Sequence, residues 1–89
     1  MCTYLTNTTE LAGSGRSGAE WFRLRRGVVY YDHPQDAPVE HALCIDFRGE
    51  GLDRVAVELD AASARRVAEA ILATLDHPTV QDLEPTLSR

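Results

Sequence analysis

The chain has 89 residues, enough for one domain, with 44% hydrophobic residues, 26% charged residues and a formal net charge of −5. That balance excludes wholesale disorder, and the acidic charge with dispersed arginines argues against a sequence-independent grip on nucleic acid. A chain this short buries only about 60–65% of its unfolded surface, so a disulfide, a metal or self-association is expected to supplement its core.

Residues 1–10, "MCTYLTNTTE", have neither the basic segment nor the apolar core of a leader. No apolar run approaches the roughly 20 residues that span a bilayer. A cytoplasmic protein away from membranes is therefore expected. Cys2 and Cys44 are too few for a disulfide framework and are expected to be thiols. Residues 2–11 are rich in Thr and free of Gly and Pro, which predicts a strand at the sheet edge or against a partner chain. "GSGRSG", residues 13–18, reads as a flexible hairpin loop without the Lys or spacing of a phosphate-binding loop. Residues 20–31, "EWFRLRRGVVYY", form a second predicted strand, with Gly27 marking a bulge or bend. Arg23 and Arg25 share one face of that strand while Arg26 points the other way, so no basic stripe forms.

"HALCIDF" alternates, with His41, Leu43, Ile45 and Phe47 on one face and Ala42, Cys44 and Asp46 on the other. A turn at residues 48–51 leads to "RVAVEL", with Val55, Val57 and Leu59 on one side. Asp60 is a predicted helix N-cap. Ala64, Val67, Ala68, Ile71, Leu72 and Leu75 then form an apolar stripe at helical spacing. Glu58 and Asp53 read as solvated edge charges. His77 reads as a cap at the helix end, and Pro78 as its stop. The expected fold is α+β: a four-stranded antiparallel sheet with one C-terminal helix packed on one face. Residues 1–76 form the single domain and residues 77–89 a tail, partly ordered at most. One helix about 22 Å long cannot hide Trp21, Phe22, Tyr30 and Tyr31 as well as the rest of the sheet, so a homodimer is expected.

Several motifs taken together resemble a family of small actinobacterial proteins containing a domain of unknown function. They are the opening "MCTYLT", the central "VYYDHP" followed by "EH" and "IDF", and the helix start "VAVELDAASAR". The likeness runs from Met1 to about Leu75 and departs at Cys44 and in the tail after Asp76. It implies a shared fold and carries no functional residue with it. The chain's exclusive use of Arg over Lys also suits a GC-rich genome.

The chemistry-bearing stretch is "YYDHPQDAPVEH", residues 30–41. Two prolines stiffen it, and it concentrates His33, His41 and Glu40. In an acid–base site, His33 or His41 carries the proton and Tyr31 orients the substrate. In a binding site, Trp21, Tyr31 and Glu40 line a pocket for a small aromatic or polyketide-like molecule. In a metal site, His33, His41 and Glu40 hold a divalent transition metal, with Cys2 or Tyr4 completing the shell. Against these stands a stiff polar turn with incidental histidines. The sequence reading is thus a small-molecule-binding protein, as an accessory protein or small enzyme of bacterial specialised metabolism. Its rivals are a metal-binding protein and a purely structural protein-interaction module.

Overall fold

A computed structural model of the chain describes residues 5–83. Four strands pair in sequence order into one antiparallel sheet: β1 (Leu5–Ser17), β2 (Glu20–Asp32), β3 (Ala42–Arg48) and β4 (Arg54–Leu59). They are followed by α1 (Ala61–Leu75) and a short α2 (Pro78–Leu83). The fold class expected from the sequence is the one observed. No helix among the described residues is long and apolar enough to cross a membrane.

The first hairpin differs from expectation. β1 does not stop at Leu11 but runs through the glycine-serine stretch to Ser17, so only Gly18 and Ala19 turn. Gly18 has a φ of 62°, matching the glycine that opens a type II′ hairpin turn. Gly15 tolerates its strand position because β2 supplies the missing side chains. A Cβ there would come within 3.1 Å of Leu24 Cδ2 and 3.3 Å of Phe22 Cζ. The register slips between Glu10 and Gly13, so the bulge lies on β1 and not at Gly27. Gly27 is buried, and a Cβ on it would meet Leu11 Cδ2 at 3.1 Å. Beyond the slip the hairpin curls toward the opposite edge of the sheet, where Gly15 lies against Val55 of β4.

The β3–β4 hairpin follows its sequence alternation. Leu43 pairs with Leu59, Ile45 with Val57 and Phe47 with Val55; β2 adds Tyr31 opposite Leu43 and Val29 opposite Ile45. These residues share one apolar face. The other face carries Tyr30, Ala42, Cys44, Asp46, Ala56 and Glu58.

That second face holds all the buried apolar residues among those described, Ala42 (0% exposed) and Cys44 (3%), together with the buried carboxylates of Asp32 and Asp46. Asp46 accepts from Arg48 at 3.2 Å and from Arg54 at 3.1 Å, so its burial is compensated by two guanidinium groups.

On the apolar face, α1 begins where expected. Asp60 accepts from the Ser63 amide at 2.7 Å, satisfying one of the first-turn donors. Ser63 and Ala64 are half-buried, and every later residue of α1 is exposed. The helix therefore covers the sheet only at its start. Pro78 does more than stop α1: it occupies the first position of α2, where a proline loses no helical hydrogen bond. His77 lies between the two helices and caps both, its amide donating to the Thr74 carbonyl at the end of α1 at 3.2 Å. Its Nδ1 accepts from the Thr79 amide at 3.2 Å, and its carbonyl accepts from Gln81 at 3.0 Å.

Candidate functional site

The loop of residues 33–41 connects β2 to β3 and is held by one side chain. The Glu58 carboxylate accepts from the amides of Gln35 (2.6 Å), Asp36 (3.0 Å) and Ala37 (3.0 Å). These three donors, Gln35 first, hold its pKa below the usual glutamate value. Glu58 is thus an anchor and not a solvated edge charge. At the entry to the loop, Asp32 accepts from the amide of the next residue, His33, at 2.7 Å.

The anchoring sets the position of the two histidines. His33 and His41 are eight positions apart in sequence, yet their ring centroids lie 4.7 Å apart with planes tilted by 34°. His41 also stacks on Tyr31, at 6.0 Å between centroids and 21° between planes. His33 Nδ1 lies 3.1 Å from the Glu40 carbonyl oxygen. A carbonyl can only accept, so Nδ1 is the donor in this contact. Tyr31, His41 and His33 therefore form a row along one end of the apolar face. Glu40 contributes its main-chain oxygen; its side chain is exposed.

Trp21 is not brought to this row. It sits at the far end of β2, about 30 Å along the strand from Tyr31, 65% exposed and with the Arg16 guanidinium 5.9 Å from its ring. Cys2 and Tyr4 lie outside the described residues. Among the described residues, no group of three or more His, Cys, Asp or Glu side chains converges as a metal site.

Tyr31, and neither histidine, lines a cleft of about 480 Å³ between the sheet and α1. Its sheet wall is Val29, Tyr31, Leu43, Ile45 and Leu59; its helix wall includes Ala64, Val67, Ala68 and Ile71, with Arg65 at the rim. Tyr31 belongs to both the row and the cleft. The helix wall was visible in the sequence as an amphipathic stripe, but nothing local marked it as a cavity wall. Glu58 left no local signal at all, since its partners lie 21 to 23 residues away.

A second hollow lies on the opposite face between the loop and β4, lined by Tyr30, Asp36, Pro38, Asp46 and Arg54. Its principal charges are already matched. Arg54 donates to Asp46, and that contact raises the guanidinium's pKa further. Burial, with the nearby Asp46 carboxylate, raises the Tyr30 phenol. Beneath the loop the Cys44 thiol is raised first by burial and then by Glu58, Asp32 and Asp46. It is therefore kept protonated, the opposite of what a nucleophilic cysteine requires.

A comparison with curated proteins gave no match, and a comparison with solved structures gave none. Residues 1–87 match the model of a family described as "Family of unknown function (DUF6295)", a match that reaches well into the tail beyond Leu75, and the chain belongs to that family.

Proposed function

We propose that the protein binds a small molecule with an apolar body and one polar head, the body in the cleft under α1 and the head at the Tyr31–His41–His33 row. The observation that carries this reading is the double role of Tyr31, which lines the cleft and stacks on His41. An apolar cavity with a few convergent polar groups at one end is the usual form of a small-ligand site. In a catalytic version, His33 Nε2 is the proton acceptor, with Nδ1 donating to the Glu40 carbonyl, and Tyr31 orients the substrate. The setting that suits such a protein is the cytoplasm of an actinobacterium, as a homodimeric accessory protein or small enzyme of specialised metabolism.

Calorimetric titration with dodecanoate and with dodecanol tests the reading, since the two probes share a body and differ in the head. Binding of either at micromolar concentration is expected. His33→Ala and His41→Ala should each weaken dodecanol about tenfold, the loss of one hydrogen bond from its hydroxyl to a ring nitrogen. Absence of heat with both probes up to millimolar concentration removes the reading.

The convergence of His33 and His41 favours a second reading, a divalent transition metal held by the two imidazoles. A main-chain carbonyl behind Nδ1 is the usual way to aim Nε2 at a metal. Metal content of the protein purified without a histidine tag tests it; less than about a tenth of an equivalent removes it.

A further inference from the structure

The single chain exposes more surface than a folded monomer of its size. It presents 6946 Å², where a monomer of 9.8 kDa presents about 5,200 Å². The excess is roughly 1,700 Å². That excess, taken over all 89 residues, exceeds the ~800 Å² that each partner gives to a standard interface. The Cα radius of gyration is 14.9 Å, against about 12 Å for a compact chain of this length.

The excess has an identifiable place. Val67 (45% exposed), Ile71 (53%), Leu72 (60%) and Leu75 (52%) make an apolar stripe on α1 that none of the described residues covers, and the sheet face beside it is left open as the cleft. We infer that a second copy of this chain covers this surface, the α1 stripe of each copy packing against the α1 stripe and the open sheet face of the other about a twofold axis.

Three points select a second copy over other occupants. The stripe and the face are both on one chain, so two copies satisfy each other reciprocally and the contact closes at two. The excess area is large enough for one partner's share of a stable dimer. The chain's net charge of −5 repels an anionic membrane surface, and the polar side of α1 offers only Arg65 and Arg66 against Glu69, too few basic residues for a membrane-lying helix. In this pair the partner's helix closes the outer mouth of the cleft while its inner wall at Tyr31 and Leu43 stays available. The inference goes beyond the ligand reading and stands without it.

Light-scattering mass over about 1 to 100 μM tests the inference on the full chain, with no ligand present. The wild type is expected at twice 9.8 kDa, and the double variant Ile71→Glu, Leu75→Glu at one chain. Leu52→Glu, in the β3–β4 turn where the side chain is 97% exposed, is expected to stay at two. Because the double variant is open to misfolding, the wild type is also read directly. In an equal mixture of isotope-labelled and unlabelled chains, interchain NOEs are expected from the methyls of Ile71, Leu72 and Leu75. A wild type that keeps the mass of one chain throughout overturns the inference. So does a two-chain species with no such NOEs, which would be joined through another surface.

Discussion

The two faces of the sheet are closed by different means. Across one face lies an irregular loop, pinned by three amide bonds to Glu58, and beneath it Ala42, Cys44, Asp32 and Asp46 are dry. Across the other lies a regular helix with a good N-cap, none of whose residues is buried. The loop seals because it is tied down at close spacing onto small residues. The helix does not, because it touches the sheet only in its first turns and stands clear afterwards. Regular structure is therefore a poor guide to which face is finished, and the unfinished one carries the candidate site.

The sharpest break of this comparison is a bulky residue on the sealed side. Ala42 is fully enclosed, so Ala42→Leu forces three extra carbons into packed space. It should cost about 1–3 kcal/mol, read as a shift in the denaturant midpoint at unchanged slope. A cost near zero would mean that the loop lifts off easily and that the two faces do not differ in kind.

Next in size is the anchor itself. Glu58→Gln keeps one acceptor but loses the charge that three amides favour, and should lower the melting temperature by several degrees. It should also speed proteolysis within residues 33–41. The sign with pH follows from the depressed pKa of Glu58. The clamp contributes fully above the ordinary glutamate value of about 4.3 and is lost as pH falls through the lower folded value. Asp60, lowered by the Ser63 amide, adds in the same direction. Wild-type melting temperature should thus fall steeply with acid below about pH 4, and the Glu58→Gln curve should be flatter. Parallel curves would show that the carboxylate is not the clamp.

How much of this was legible in the sequence depends on the range over which each signal acts. The β3–β4 hairpin and α1 are written locally, as a two-residue alternation, a turn, an Asp60 cap and a stripe at helical spacing, and all of them appear as expected. The glycine-serine stretch was misleading because the side chains that let Gly15 sit in a strand, Leu24 and Phe22, belong to the neighbouring strand. Pro78 looks like a terminator from one side and a helix start from the other. For the candidate site, the closeness of Tyr31, His33 and His41 along the chain, and the face that His41 shares with Leu43 and Ile45, followed from the sequence. The approach of the two imidazoles to 4.7 Å did not, since it depends on a glutamate in another strand.

Removing the imidazoles should leave stability nearly untouched while changing binding. His33 is exposed, and its contact to Glu40 is one loop hydrogen bond, so His33→Ala should move the melting temperature by less than about two degrees. If that variant melts as early as Glu58→Gln, the imidazole is holding the loop and not waiting for a ligand.

The finest test repeats the first substitution on the other face. Ala68 lies on the helix wall of the cleft and is exposed. Leu is nearly as good a helix former as Ala, so Ala68→Leu places the same three carbons into empty space. Stability of the chain should change by no more than about 0.5 kcal/mol in either direction, while dodecanoate affinity drops because the cleft is partly filled. A cost equal to that of Ala42→Leu would mean that the space under α1 is already occupied in solution. Repeating the measurement across the concentration range of the mass experiment then separates the partner's helix, whose contribution fades on dilution, from a cleft that the chain's own α1 has closed.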